Sequence, residues 1–274
     1  MERHDDRGGH VVTATHGVLA VHYADRQALR SEVYYRHAVY GEPDGPMGMA
    51  YFFWVIEPPT GPPLIVDCGF DPELGARMGR PCSRTPADAL ADLGIDGADV
   101  AQVVVTHLHY DHIGNLGLFP NARFVVAQRE LDFWTGSIAR RSHFAEHTDP
   151  RAVTALAHAA EAGRVVAVDD ELEVAEGITV MRVGGHSPGQ LMVSVRAAEG
   201  GVLLASDAVH YLEELEMERP FAVLADLEQV YRAYDTVREL TAGGARLVPG
   251  HDPLVNDRFP ALGDGRRAPA VRVA

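Results

Sequence analysis

Two β-sheets packed face to face, with helices on the outside, are the fold class predicted here, on three observations. Short apolar runs of strand length recur from residue 51 to residue 249. Helical segments interrupt them without the strict strand–helix–strand alternation of a single parallel sheet. Several runs end in turns that carry His or Asp, as loops at the rim of a rigid scaffold do.

Taken in order, residues 1–50 read as an N-terminal arm and loop, ending in "GEPDGPMGM". "YFFWVI" (51–56) and "PLIVDCG" (63–69), joined by the turn-rich "EPPTGP", predict a hairpin. "TPADALADLG" (85–94) predicts a helix that starts at a Thr cap followed by Pro and stops at Gly94. "VAQVVVT" (100–106) and "ARFVVA" (122–127) are buried strands, and 128–162 is a helical insertion. Strands follow at "RVVAV" (164–168), "ITVMRV" (178–183), "QLMVSVR" (190–196) and "GVLLAS" (201–206). In 224–240, Leu224, Leu227, Val230, Tyr231, Tyr234, Val237 and Leu240 recur at helical spacing and predict one buried face. "ARLVP" (245–249) is the last strand. With no repeat, long linker or low-complexity block, 1–274 reads as a single domain.

The chain has 39 acidic against 24 basic residues, a formal net charge of −15. That balance argues against a nucleic-acid footprint and against anionic membrane surfaces. No segment is long and apolar enough to span a bilayer, and the N-terminus lacks the apolar stretch of a secretory signal, so a cytoplasmic location is expected. Cys68 and Cys82 are expected to be reduced and buried.

Chemistry concentrates in "VVVTHLHYDHIGN" (103–115). His107 and His109 sit two apart, so on an extended segment both imidazoles project to one side. Asp111 and His112 follow where the chain turns at Gly114 and Asn115. Neutral imidazole and carboxylate suit zinc and other borderline divalent metals, manganese and iron among them. Four ligands do not complete two metal sites, so partners are expected from His186 in "VGGHSPGQ", Asp207 in "LLASDAVH" and His251 in "LVPGHDP". The histidines at 4, 10, 16, 22, 37, 143, 147, 158 and 210 lack such company, and most read as solvated or ordinarily hydrogen-bonded.

His107-Leu108-His109-Tyr110-Asp111-His112, with His186, Asp207 and His251 later in the same order, resembles the metallo-β-lactamase superfamily over roughly residues 50–255. The resemblance implies the αββα sandwich and a dinuclear site. His107, His109 and His186 would hold the first metal, Asp111, His112 and His251 the second, and Asp207 would bridge them. Within the superfamily, "AYFFWVIE", "THLHYDHIGN", "SDAVHY" and "VPGHDP" look most like the N-acyl homoserine lactonase-like hydrolases. That implies opening of a small lactone ring by a hydroxide held between two divalent metals, zinc foremost, with Asp111 able to relay a proton to the leaving alkoxide. It also admits a homodimer through the N-terminal arm. Where the lactonases have a substrate-contacting tyrosine, three residues after the bridging aspartate, this chain has His210, followed by Tyr211. Either stands as a candidate for that role, and the departure puts acyl-homoserine lactone itself in question.

Met47 and Met49, in the loop before the first strand, and Phe133, Trp134 and Phe144, in the helical insertion, are expected to wall the substrate pocket. Ser187 and Ser206 are expected to satisfy hydrogen bonds around the ligands rather than act as nucleophiles. Two other readings remain open. One is thioester hydrolysis of the glyoxalase II type, for which no basic cluster stands out in the sequence. The other is a non-enzymatic metal-binding protein, which would need a closed, fully ligated site.

Overall fold

The computed structural model describes residues 14–263 and 270–274. The first thirteen residues of the expected arm, with His4 and His10, lie outside the described residues. Seven strands form one sheet, in the spatial order β12 (Val271–Arg272), β1 (Gly17–Leu29), β2 (Pro46–Glu57), β3 (Leu64–Val66), β4 (Gln102–Val104), β5 (Arg123–Ala127) and β6 (Val165–Val168). The second sheet runs β11 (Arg246–Pro249), β10 (Gly200–Ser206), β9 (Leu191–Ala197), β8 (Ile178–Arg182) and β7 (Glu171–Ala175). The expected hairpin forms, with β2 antiparallel to β3 and Trp54 opposite Val66. From β3 to β6 the strands are parallel, as are β10 and β11.

Continuous apolar runs arise because both faces of these strands are covered. In β1, Val18 and Ala20 face the space between the sheets, whereas Leu19 and Val21 face the helices. Around β4 the same alternation sends Val104 between the sheets and Val103 and Val105 outward. The inter-sheet core joins Trp54, Val66 and Val125 to Val193, Val195, Val202 and Leu204.

On the outer face of the first sheet lie α3 (Pro86–Asp92), α5 (Gln128–Thr135) and α7 (Pro150–Glu161), contributing Leu90, Trp134 and Leu156. The second sheet is covered by α9 (Leu227–Ala242), through Val230, Ala233, Tyr234 and Val237. Shorter pieces are α1 (Arg30–Val33), α2 (Pro72–Arg77), α4 (Tyr110–Ile113), α6 (Ser142–Ala145), α8 (Leu212–Met217) and α10 (Leu254–Arg258). Helices on both outer faces of two mixed sheets are the architecture expected.

Two expectations need correction. The segment read as arm and loop carries β1, thirteen residues long and paired with β2 throughout. It was missed because His22, Asp25, Arg26 and Gln27 break the apolar pattern over its second half. Met47 and Met49 are therefore strand residues of β2 rather than loop residues. The helix expected over 224–240 starts later, because Asp226 accepts a hydrogen bond from Gln229 N at 3.0 Å and caps it. Leu227, Tyr231 and Leu240 are exposed, so the buried stripe is narrower than the spacing implied.

α4 approaches the end of β3 closely. Gly114 donates its N–H to Gly69 O at 2.8 Å, and a Cβ on Gly114 would lie 2.2 Å from Asp71 N and 2.6 Å from Phe70 Cα. Those are backbone atoms and cannot swing aside. Gly114→Ala is expected to lower unfolding stability by about 3 kcal/mol or more, as overpacking against rigid backbone does. Gly117→Ala, which meets open space, should be near neutral; urea denaturation midpoints of the two variants check the contrast.

Candidate metal centre

The C-terminal ends of β3, β4, β10 and β11, with the loop after β8, converge on one point between the sheets' upper edges. Asp67 follows β3, His107 follows β4, His186 lies in the loop after β8, Asp207 follows β10 and His251 follows β11. His109 and α4, bearing Asp111 and His112, complete the group. All seven side chains predicted as ligands are buried, and the fold brings them together.

Ligand atoms of His107, His109 and His186 lie within 4.8 Å of one another, as do those of Asp111, His112 and His251. Asp207 sits between the two groups. Its Oδ2 is 3.3 Å from His186 Nε2 and 3.8 Å from His107 Nε2, and its Oδ1 is 3.3 Å from His112 Nε2 and 3.2 Å from His251 Nε2. Among the described residues, His107 Nε2, His112 Nε2 and Asp207 Oδ1 are buried without a hydrogen-bond partner. Leaving such atoms unpaired in a dry interior is costly, and convergent imidazole and carboxylate atoms are a donor set for divalent cations. The residues present fit two of them.

Electrostatics prepare the donors. Burial pushes the His107, His109 and His186 imidazoles well below their ordinary pKa, which favours the neutral form that can ligate a cation. Burial also opposes charge on His112, but Asp207, Asp67 and Asp111 outweigh it and raise its pKa. Burial disfavours the ionised Asp207, yet His251, His112 and His210 hold its carboxyl well below the usual range.

The ligands are held from behind by groups that sequence reasoning did not assign. Asp67 Oδ1 accepts from Thr106 N at 2.8 Å, and its Oδ2 accepts from Thr106 Oγ1 and shares a hydrogen with His112 Nδ1, each at 2.8 Å. Asp67 and Ser206 both adopt left-handed backbone, φ +62° and +47°, a strain retained only where surroundings enforce it. His251 Nδ1 is bonded to Ala50 O at 2.8 Å. Glu130, fully buried on α5, accepts from Leu108 N at 2.9 Å and Gly189 N at 2.7 Å, and from Trp134 Nε1 and Ser187 Oγ. It thereby ties the His107–His112 turn to the His186 loop. Ser187 is thus a hydrogen-bond donor, as expected, and Ser206 Oγ bonds Thr106 Oγ1 at 2.8 Å. Asp67 was readable only as part of the hairpin segment "PLIVDCG"; Glu130 gave no local signal.

A cavity of about 160 Å³ opens over the cluster, lined by Met49, Tyr51, Arg80, Tyr110, His147 and Phe221 beside the ligands. Of the predicted pocket residues, Met49 lines it. Trp134 and Phe144 border a smaller recess next to His109, and Phe133 packs on Phe144 at 5.0 Å between ring centroids. Met47 does not reach the cavity but packs near Val33 and Tyr34. His147, read from sequence as an ordinary histidine, is part of the wall.

His210 and Tyr211, the two candidates for the position that follows the bridging aspartate, do not line this cavity. Tyr211 turns its ring to Tyr34, 6.5 Å away, among Ala28 and Val33. His210 is 1% exposed, with Phe221 stacked on it at 3.8 Å and 13°. Its Nδ1 faces Glu214 Oε2 at 3.1 Å and its Nε2 faces Asp207 Oδ2 at 3.2 Å. Burial lowers its pKa, but Glu214 and Asp207 prevail and hold it at about 9. His210 thus supports Asp207 from inside the fold rather than facing the cavity.

Residues 47–251 match the Metallo-beta-lactamase superfamily. The N-acyl homoserine lactonase AttM of Azorhizobium caulinodans is 33% identical over 176 residues, 62% of this chain and 64% of that protein. AiiA of Bacillus thuringiensis subsp. kurstaki, also named an N-acyl homoserine lactonase, is 28% identical over 134 residues, 48% of each chain. The chain thus spans less than two thirds of the length of these relatives. Among solved structures, a quorum-quenching N-acyl homoserine lactone lactonase superposes with a TM-score of 0.70 at 22% identity, covering 88% of this chain and 93% of that one. The dizinc quorum-quenching lactonase AidC does so at 0.65 and 16%, covering 88% and 89%. At these identities the structural likeness speaks for the fold.

Asp67→Asn keeps the side chain's shape but removes the charge behind His112 and one acceptor. Divalent-cation affinity, measured by chelator competition on metal-depleted protein, is expected to fall about 10- to 100-fold, with the circular dichroism spectrum unchanged.

Proposed function

This chain belongs to the Metallo-beta-lactamase superfamily, and from that premise we propose that it is a dinuclear metal-dependent hydrolase that opens the ring of a small lactone. The observation that carries the reading is the convergence of seven buried ligand-type side chains, several with unpartnered atoms, beneath an open cavity. An open site distinguishes a catalytic centre from the closed ligation of a structural one. The naming of relatives as N-acyl homoserine lactonases supports the lactone as substrate class.

In this reading His107, His109 and His186 would hold one cation and Asp111, His112 and His251 the other, with Asp207 lying between the two groups. Zinc is the favoured metal, with manganese or iron as alternatives. When bound, the pair supplies an activated water at neutral pH and charge stabilisation for the carbonyl and leaving oxygens. The chain's own residues do the remainder. Met49, Tyr51, Phe221 and Val223 give the cavity an apolar wall that orients the ring and limits bulk water. Asp111, which borders the cavity, takes a proton from the attacking water and passes it to the alkoxide released on ring opening. His210, backed by Glu214, fixes the carboxylate of Asp207.

Metal-replete protein is expected to bind two equivalents of cation and to hydrolyse simple γ- and δ-lactones. Chelation should abolish that activity and divalent metal restore it. Asp111→Asn is expected to lower kcat by a factor of about 100 or more while the protein stays folded. Elemental analysis and a panel of lactones and thioesters test this. Tight metal binding without hydrolysis of any ester would overturn the enzymatic reading, and preference for thioesters would transfer it to the glyoxalase II type.

A further inference from the structure

Two arginines line the cavity above the ligand cluster, and they are not equivalent. Arg26 is engaged by Glu32, 3.5 Å away. Arg80 forms no ion pair among the described residues. Its guanidinium hydrogen-bonds the Tyr110 hydroxyl and lies 5.4 Å from the centre of that ring. Asp111, which borders the same cavity, acts on it at a distance without forming an ion pair.

Arg80 is also built in. Its N–H donates to Gly75 O at 2.8 Å, fixing the backbone just beyond α2. Tyr110, beneath the guanidinium, stacks on Phe70 at 6.0 Å and 28°, and Phe70 meets the Tyr51 ring edge-on at 5.3 Å. The phenol satisfies one donor, and the rest of the guanidinium fork remains available to a ligand. At about 160 Å³ the cavity is small beside the roughly 300 Å³ or more of drug-sized sites. Arg80, Asp111, His186 and His251 all border it, so one small molecule spans from the guanidinium to the ligand atoms.

We propose that Arg80 is a specificity-determining residue that binds a carboxylate on the substrate, so that the preferred substrates are small lactones bearing an acidic group beside the ring rather than neutral lactones. The inference rests on the lactone-opening reading above and names its substrate class. A carboxylate meets the guanidinium fork with paired, charge-assisted hydrogen bonds, whereas a neutral amide oxygen leaves the cation uncompensated.

The test uses γ-butyrolactone carrying a carboxylate on the ring carbon next to the ring oxygen, and the same lactone as its neutral carboxamide. Metal-replete wild-type protein is expected to favour the acid by about tenfold or more in kcat/KM, chiefly through KM. Arg80→Met should abolish the preference, lowering kcat/KM on the acid about tenfold or more relative to the amide, while Arg80→Lys keeps part of it. An equal loss on both lactones, the mark of a residue serving the carboxylate formed by every ring opening, would overturn the proposal, as would equal use of the two by wild type. Calorimetric binding of the non-hydrolysable tetrahydrofuran carboxylate and carboxamide, to wild type and Arg80→Met, separates this from failure of the lactonase reading. A carboxylate preference lost in the variant supports the role of Arg80 even if neither lactone opens; binding without that difference refutes it.

Discussion

The carboxylate of Asp67 is the point on which the centre depends. It closes β3, receives the backbone and hydroxyl of Thr106 at the end of β4, and pairs with the imidazole of His112 on α4. Through Thr106 it reaches Ser206, at the tip of β10 in the other sheet. One buried anion thus sets the spacing of three elements from the first sheet and links them to the second. Charged hydrogen bonds in a dry interior are strong only when fully satisfied, and Asp67 has its acceptors filled. The left-handed backbone at Asp67 and Ser206 is the local strain that this network sustains.

Around that anchor, burial and charge divide the seven ligand-type residues into unlike sets. Desolvation lowers the pKa of His107, His109 and His186, whereas the three carboxylates around His112 raise its pKa. The contacts of Asp207 with His107, His112, His186 and His251 run from 3.2 to 3.8 Å, so one carboxylate balances several imidazoles at once. His210, with Glu214 behind and Phe221 above, adds to the positive side of that balance.

Much of the centre was legible because its donors sit where apolar runs stop. The run 103–106 ends at His107, "GVLLAS" at Asp207 and "ARLVP" two residues before His251, and a parallel sheet presents such ends to one cleft. The sandwich was legible for the same reason, since strands covered on both faces read as uninterrupted apolar stretches. β1 was not, because the half that extends past the core carries His22, Asp25, Arg26 and Gln27. Nor were the orientations of His210 and Tyr211, which depend on where Glu214 and Tyr34 arrive from other parts of the chain. Arg80 had no local pattern at all, being placed by tertiary contacts of the turn after α2.

The buried acid of α5 has a bearing on modularity. Helical segments between core strands look like exchangeable ornaments that can be swapped to change what a scaffold accepts. Here Glu130 reaches from that segment into the scaffold and fastens two separate ligand-bearing turns, with Gly189 bare so that its backbone can approach. Any graft that replaces residues 128–162 would therefore carry away a structural rivet along with the pocket wall. Redesign of this region has to keep that single carboxylate, or supply another, before new contacts can be of use.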